Sequence, residues 1–211
     1  MTAAGETGTA PRAVRAAGEA LAAAAARFAS FGWMRGTSGN VSLVLCSDPL
    51  RLAVTVSGRD KGGLTGADVV VVDAAGRAVT TSTADGQRPS AEAALHARIA
   101  SVTGAGAVVH VHTVAAVAAG RRWPSGVELE GLEMLKGIGV PAEGVRVTIP
   151  VIPNSQDMRV LGDRLDKARH PAVPAAIVAS HGLYAWGADL QRAGHHTEIV
   201  EWLLEFALAT A

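Results

Sequence analysis

Two histidines lie inside an otherwise apolar segment, "GAVVHVHTVAAV", at positions 110 and 112. Side chains two residues apart on a β-strand point to the same face, so the imidazoles of His110 and His112 would lie close enough to bind one metal ion. Neutral imidazole is a good ligand for Zn²⁺, and a zinc site needs at least one more protein ligand. The segment "ASHGLYAWG" offers His181, and Gly182 beside it allows close approach of the backbone. A histidine on an apolar strand is also typical of a hydrogen-bonded core residue, so the pair alone leaves both interpretations open.

Two glycine-rich turns carry groups that bind anions. The segments "GTSGN" (36–40) and "VSGRDKGG" (56–63) combine glycine with hydroxyl or charged side chains, and Lys61 adds a positive charge to the second. Such turns present backbone N–H groups to an anion. Neither has the spacing of a P-loop or of a dinucleotide-binding fingerprint, so each alone is also typical of an ordinary turn. Beside a candidate metal site, they favour a phosphorylated substrate.

Two carboxylates lie in segments with apolar neighbours, Glu92 in "RPSAEAALH" and Glu133 in "LEGLEMLKGIG". A carboxylate that transfers protons near a metal needs a pKa adjusted to that task by its surroundings, which the sequence alone does not show.

His195 and His196 are neighbours on a predicted helix and cannot share a face, so we expect them at the surface.

The surrounding segments predict the elements that position these residues. Pro11 suits the first turn of a helix that runs to about Phe31. Strands are predicted in "NVSLVL", "LAVTVSG", "VRVTIPVI" and "AAIVASHGLYAWG". The segment "ADVVVVDAAGRAV" is predicted to form a strand, a turn and a returning strand, and "AVVHVHTVAAV" a strand that passes into a helix. Helices are predicted in "SAEAALHARIASV", "EGLEMLKGI", "DMRVLGDRLDKA" and "DLQRAGHHTEIVEWLLEFAL". This order predicts a flexible tail at 1–10 and one layered α/β domain at 11–211.

The composition excludes several classes of protein. With 211 residues, 49% of them hydrophobic, the chain has enough apolar material for a sizeable core and is not typical of a disordered protein. The formal net charge is zero, so nothing favours nucleic acid or an anionic membrane as a partner. The N-terminus lacks the pattern of a signal peptide. The single cysteine, Cys46, excludes an internal disulfide and fits a cytoplasmic location.

Seven motifs occur in a fixed order along the chain: "GTSGNVS", "VSGRDKG", "PSAEAALH", "VVHVHT", "LEMLKGI", "IPNSQD" and "SHGLYAWG". Together they resemble the class II aldolase/adducin family, from about Phe31 to Phe206. The resemblance implies a three-layer α/β/α fold around a central, mainly antiparallel sheet. It also implies a homotetramer with active sites near subunit interfaces.

The same resemblance assigns roles to residues. It implies one Zn²⁺ per subunit, held by His110, His112 and His181. The groups that match the phosphate site of the family's sugar-phosphate aldolases are Asn40, Ser57, Gly58 and Ser90, with Lys61 as an added charge. Those aldolases have a second serine where this chain has Ala91, so the phosphate contacts must differ in part.

Within the family the chain is most similar to dehydratases. This similarity implies zinc-dependent dehydration of 5-methylthioribulose 1-phosphate to 2,3-diketo-5-methylthiopentyl 1-phosphate, a step of methionine salvage. Dehydratases of the eukaryotic type use the glutamate that matches Glu133, and the aldolases use the one that matches Glu92. We therefore predict Glu133 as the main proton donor or acceptor, and Glu92 as a second one or an extra metal ligand. A cysteine near the substrate in those dehydratases aligns with Ala91, so its role does not carry over.

Three other functions remain open at this point. A sugar-phosphate aldolase of the fuculose- or ribulose-phosphate type would use the same metal and break a different bond. A non-catalytic assembly module, like the adducin head domains, is expected to lack the full histidine triad that this chain has. A closed structural zinc site needs a fourth protein ligand besides three histidines.

Overall fold

A seven-stranded β-sheet forms the centre of the fold, which the computed structural model describes over residues 10–79 and 86–211. Residues 1–9 of the predicted tail lie outside the described residues. The strands are β1 (Asn40–Ser47), β2 (Leu50–Thr55), β3 (Val69–Val72), β4 (Ala107–Val111), β5 (Val127–Glu130), β6 (Arg146–Ile149), β7 (Val151–Ile152), β8 (Ala175–Val178) and β9 (Gly182–Gly187). The helices are α1 (Pro11–Ser30), α2 (Ala93–Thr103), α3 (Val114–Arg122), α4 (Met158–Ala168) and α5 (Leu190–Ala209).

The sheet is mainly antiparallel, as the resemblance implies. Its strand order is β3-β2-β1-β4-β9-β8-β7, and only the short β7 pairs with its neighbour β8 in parallel. Strands β5 and β6 form a separate antiparallel pair. The central position of β4 places the histidine pair of the sequence between β1 and β9, the strands that flank it.

Helices cover both faces of the sheet and complete the three layers. Val109 and Val111 of β4 belong to the apolar cluster that α1, α3 and α5 share, whereas Val108 belongs to the cluster with α2 and α4. This alternation is what a strand buried on both faces requires. A fully buried valine or leucine is stabilised by about 1.5–3 kcal/mol relative to exposure, so both layers contribute to the stability of the strand.

The structure corrects some predicted element boundaries. The segment "VRVTIPVI" was expected to form one strand, but it divides at Pro150 into β6 and β7, which belong to different sheets. Proline has no backbone N–H to donate to a ladder, which explains the division. The segment "AAIVASHGLYAWG" forms two antiparallel strands, β8 and β9, rather than one. The predicted helix in "EGLEMLKGI" is a 3₁₀ helix, Glu133–Ile138.

The expectation that both adjacent histidines of α5 lie at the surface is wrong for one of them. His195 is exposed, but His196 is buried, and its Nδ1 donates a hydrogen bond to the carbonyl oxygen of Trp186 at 2.6 Å. Because α5 packs along β9, one of two neighbouring residues must face the sheet while the other faces solvent.

None of the helices in the described part of the chain combines the length and the hydropathy that crossing a bilayer requires.

A buried carboxyl group connects α5 with the start of α3. Glu201 is only 2% exposed, and Oε2 of its side chain accepts a hydrogen bond from Thr113 Oγ1 at 2.8 Å. Thr113 Oγ1 also accepts from the backbone N–H of Ala116 at 3.1 Å, which caps α3 directly after His112. Burial raises the pKa of Glu201 to about 7.

We predict that the Glu201→Gln variant is more stable than the natural protein above pH 7. A carboxyl group whose pKa is higher in the folded state stabilises the fold below its unfolded pKa, and this stabilisation is lost as the pH rises through about 7. Glutamine keeps the hydrogen-bond acceptor without a charge. We expect a gain in the free energy of unfolding of roughly 3 kcal/mol at pH 8 and little change at pH 4.5, measured by urea denaturation with a chelator present.

Glu143→Gln, at an exposed position, is the matched control and should show no such pH dependence. A difference between Glu201→Gln and the natural protein that stays constant from pH 4.5 to pH 8 would contradict a raised pKa.

Candidate metal centre

The ends of two neighbouring strands and one turn bring the predicted histidines together. His110 lies in β4, where its register partners are Asn40 on β1 and Tyr184 on β9. His112 follows directly after the end of β4, on the same face as His110. His181 lies in the turn that leads into β9, next to the end of β4.

The three histidines and one carboxylate form a compact cluster. One potential ligand atom from each of Glu92, His110, His112 and His181 lies within 4.8 Å of all the others. The Nε2 atoms of His110 and His112 are 2.8 Å apart, and the Nε2 of His181 is 2.9 Å from Glu92 Oε1. Glu92 reaches the cluster because it is the residue immediately before α2.

The donor set fits a metal ion. His110 Nδ1 donates to the carbonyl oxygen of Leu183 at 3.0 Å, so in the neutral ring Nε2 carries the lone pair that faces His112. Two ring nitrogens 2.8 Å apart repel each other unless a proton or a cation lies between them. Burial, together with the charges of the neighbouring imidazoles, lowers the pKa of His112 to about 4, which favours the neutral, ligating form.

Glu92 is held as a carboxylate. Asn40 Nδ2 donates to its Oε2 at 2.6 Å, and that oxygen lies 3.4 Å from His110 Nε2. Burial raises the pKa of Glu92, but the charge and hydrogen bonding of His110, together with hydrogen bonds from His181 and Asn40, hold it well below its ordinary value. An ionised carboxylate can bind a metal ion or accept a proton, and it has no proton to donate.

Two glycines allow the close packing of the histidine strand. A side chain at Gly182 would overlap with the carbonyl oxygen of Val111 and would lie 3.2 Å from both the His110 Cε1 and the His112 Cδ2. A side chain at Gly39 would lie 2.9 Å from the carbonyl oxygen of His110. Among the described residues, Ser180 is the one non-glycine position with a positive φ, at 56°, and it directly precedes His181. The sequence prediction of a close backbone approach at Gly182 is therefore confirmed.

Sequence reasoning did not identify the aromatic support of the site. The Tyr184 ring stacks on His110 with centroids 3.9 Å apart, and it contacts the ring of His96 edge-on. His96 is fully buried and its Nδ1 lies 2.8 Å from Ser42 Oγ. Side chains alternate between the two faces of a strand, so the sequence predicts that Tyr184 shares a face of β9 with Gly182. The sequence does not show the strand pairing that places Tyr184 beside His110.

A polar cavity of about 180 Å³ opens beside the cluster. Its lining includes four of the five predicted phosphate-binding residues together with two members of the cluster: Asn40, Ser57, Lys61, Ser90, Glu92 and His112. The fifth, Gly58, is exposed and does not line this cavity.

Lys61 is a buried cation at this cavity. It is 1% exposed, and its Nζ donates to the carbonyl oxygens of Thr37 and Arg59, each at 2.9 Å. Among the described residues these bonds use two of its three N–H groups, so one remains to face the cavity. Ser90 Oγ accepts from Asn40 Nδ2 at 2.9 Å and from the Glu92 backbone N–H at 3.2 Å, which leaves its own O–H to donate.

The second predicted acid, Glu133, lies elsewhere on the chain. Its side chain is 77% exposed and forms an ion pair with Lys136 at 2.7 Å, at the start of the 3₁₀ helix. It does not belong to the cluster of potential ligands. The structure of the single chain thus brings Glu92 to the histidines and leaves Glu133 at the surface.

A comparison with known families identifies the family of the chain. The model of the "Class II Aldolase and Adducin N-terminal domain" matches residues 19–208. The chain belongs to the class II aldolase and adducin family. The family that the ordered motifs predict is therefore confirmed.

Curated relatives of this family member carry the name methylthioribulose-1-phosphate dehydratase. The protein from Sulfurihydrogenibium sp. is 38% identical over 176 residues, which are 82% of this chain and 80% of the relative. The protein from Sorangium cellulosum is 41% identical over 183 residues, which are 84% of each chain.

Solved structures of the same fold have lower sequence identity. The structure of YgbL from Escherichia coli matches with a TM-score of 0.72 at 22% identity, over 94% of this chain and 91% of the other. The L-fuculose-1-phosphate aldolase from Thermus thermophilus matches with a TM-score of 0.68 at 22% identity, over 92% and 93%. These matches confirm the predicted α/β architecture.

We predict that Gly182→Ala weakens binding of zinc about 10- to 100-fold, because an added methyl group must displace the backbone of Val111 and the rings of His110 and His112. Zinc affinity is measured by competition with a chromogenic chelator. Gly63→Ala is the control, since an added methyl group there meets no atom within 4 Å. Equal zinc affinity in the two variants would show that the packing at Gly182 does not position the ligands.

Proposed function

We propose that this protein is a metal-dependent lyase that dehydrates 5-methylthioribulose 1-phosphate to 2,3-diketo-5-methylthiopentyl 1-phosphate. The observation that carries the proposal is the cluster of three imidazoles and a carboxylate beside a polar cavity. Its support from relatives is the 38–41% identity to dehydratases of that name over most of both chains. The step belongs to methionine salvage, and we propose a cytoplasmic location for it.

The proposed metal is one Zn²⁺ per subunit, held by His110, His112 and His181, with the Glu92 carboxylate beside them. Three histidines with an open position are the ligand set of catalytic rather than structural zinc. A zinc ion bound there would act as a Lewis acid that lowers the cost of negative charge on the substrate's carbonyl oxygen.

The polar cavity is proposed to hold the phosphate group. The Lys61 ammonium supplies a positive charge that no carboxylate of the described residues neutralises through an ion pair. Ser57 and Ser90 supply hydroxyl groups, and Asn40 positions Ser90. Gly58 contributes only if its backbone N–H turns toward the bound phosphate. Charge-assisted hydrogen bonds of this kind fix the orientation of the substrate.

Proton transfer requires one group that accepts and one that donates. Glu92, which is ionised beside the ligands, is proposed to accept the proton from C3 of the substrate. The hydroxyl group on C4 then leaves as water with a proton from Glu133, and the resulting enol converts to the diketone. Glu133 is exposed and lies outside the cluster of its own chain. We therefore propose that Glu133 of a neighbouring subunit donates this proton, within a homotetramer.

A sugar-phosphate aldolase is the alternative function. It is favoured by the structural match to the L-fuculose-1-phosphate aldolase, whose fold this chain shares over almost its whole length. Both reactions need a metal, a phosphate site and a base beside the C3 or C4 position, so the shared site does not separate them. A non-catalytic assembly module is disfavoured because it has no use for the converging ligand set.

We predict that the purified zinc-loaded protein removes one water from 5-methylthioribulose 1-phosphate and leaves fuculose 1-phosphate and ribulose 5-phosphate unchanged. The products are identified by mass spectrometry. Removal of zinc by a chelator should abolish the reaction, and added zinc should restore it. Cleavage of any of these substrates into two fragments would instead establish the aldolase.

We also predict that Glu133→Gln lowers turnover by about two to four orders of magnitude while zinc stays bound, because a general acid contributes about that factor. Glu92→Gln should lower turnover and zinc affinity together, since Glu92 lies among the ligands. The exposed Glu143→Gln variant serves as the control. Turnover near the natural rate in Glu133→Gln would assign both proton transfers to Glu92.

A further inference from the structure

A second cavity, of about 390 Å³, also borders His112. Its lining is His112, Thr113, Val114, Val117, Ala118 and Arg121. Three of these side chains are aliphatic, and Thr113 adds a methyl and a hydroxyl group. His112 and Arg121 are the two strongly polar residues of the lining. The Thr113 hydroxyl is already engaged with Glu201 and with the start of α3, so it offers little polarity to the cavity.

The aliphatic residues of this cavity form an outward stripe on α3. Val114, Val117 and Ala118 have the spacing of one helical face, whereas Ala115 and Ala116 face the core. Val114 is 83% exposed, the largest exposure of any large apolar side chain among the described residues. In α3 the small alanines lie on the buried face and the larger valines lie on the open face, which is the reverse of the usual amphipathic pattern. The stripe is therefore available for contact with an apolar group of a ligand.

The two cavities share one lining residue, His112, which is a member of the ligand cluster. The polar cavity also contains Lys61 and Ser90, and the other contains the aliphatic stripe. A molecule that occupies both cavities therefore contacts His112. Such a molecule needs an anionic end, a metal-binding middle and a short apolar end.

We propose that the stripe of Val114, Val117 and Ala118 binds the methylthio end of the substrate and determines the specificity for it. This inference rests on the proposed function, since it takes 5-methylthioribulose 1-phosphate as the substrate. The phosphate on C1 occupies the polar cavity, C2 to C4 lie at the cluster, and the sulfur and its methyl group on C5 lie against the valines.

The length of the stripe agrees with this assignment. From Val114 to Ala118 the helix rises about 6 Å, one turn, before Arg121 introduces a charge. A methylthio group is short enough for one helical turn, and a longer or charged substituent would meet the Arg121 guanidinium. Burial of the methylthio group against valine is favourable, whereas a 5-hydroxyl group would lose hydrogen bonds to water without replacing them.

The test compares two substrates that differ only at this end, 5-methylthioribulose 1-phosphate and 5-deoxyribulose 1-phosphate, which lacks the sulfur and its methyl group. The Val114→Thr/Val117→Thr variant keeps the shape of both side chains and adds hydroxyl groups. We expect kcat/KM for the methylthio substrate to fall at least about tenfold, mainly through KM, because contacts made equally in the ground and transition states are lost. Turnover of 5-deoxyribulose 1-phosphate should stay within twofold.

A second variant and a control complete the experiment. Ala118→Leu fills the cavity, so it should exclude the methylthio substrate more strongly than it affects the 5-deoxy compound. Val160→Thr, at a partly exposed valine on α4, is the control and should change neither. The molecular mass of each variant is measured by analytical ultracentrifugation.

The proposal is overturned if the stripe variants lower the turnover of both substrates equally, or change neither. A change in molecular mass with equal loss for both substrates would identify the stripe as a contact between subunits instead. If the natural protein dehydrates neither substrate, the proposed function itself is wrong, and the specificity inference is wrong with it. The proposal is supported if kcat/KM falls for the methylthio substrate alone while the molecular mass of the variant equals that of the natural protein.

Discussion

The rest of the site depends on the convergence of the His110 and His112 rings at the end of β4. Their Nε2 atoms are 2.8 Å apart, and the hydrogen bond from His110 Nδ1 to Leu183 fixes which nitrogen faces the cluster. This arrangement is unfavourable without a shared proton or cation, so the surrounding structure must maintain it. Stacking by Tyr184 and the absence of a side chain at Gly182 are how it does so. Glu92 adds a negative charge that would balance a cation bound there.

Two cavities of opposite character border His112. One is polar and contains a buried ammonium, and the other is lined by the aliphatic stripe of α3. The proposed dehydration and the alternative aldol cleavage would use the same histidine cluster and the same polar cavity. We therefore expect the features that distinguish the two reactions to lie outside the cluster. In this chain the candidates are the proposed donor Glu133 and the aliphatic stripe.

Much of this arrangement is predictable from the sequence, and the exceptions have physical reasons. The pair His110 and His112 follows from strand alternation, and the helix from Pro11 follows from proline at its first turn. The division at Pro150 was missed because apolar, β-branched residues continue on both sides of it. His196 was misplaced because burial depends on how α5 packs against β9, which local spacing does not show. Local sequence does not show that Glu133 lies at the surface of its own chain, and Tyr184 reaches His110 only through strand register.

The central claim is that the three histidines hold the catalytic metal, and a crystal structure of the zinc-loaded protein tests it most directly. Anomalous diffraction recorded above and below the zinc absorption edge locates the ion without reference to the protein atoms. The account predicts one zinc peak per subunit, coordinated by the Nε2 atoms of His110, His112 and His181. An active crystal in which the zinc lies elsewhere, with the imidazoles hydrogen-bonded only to one another, would contradict it.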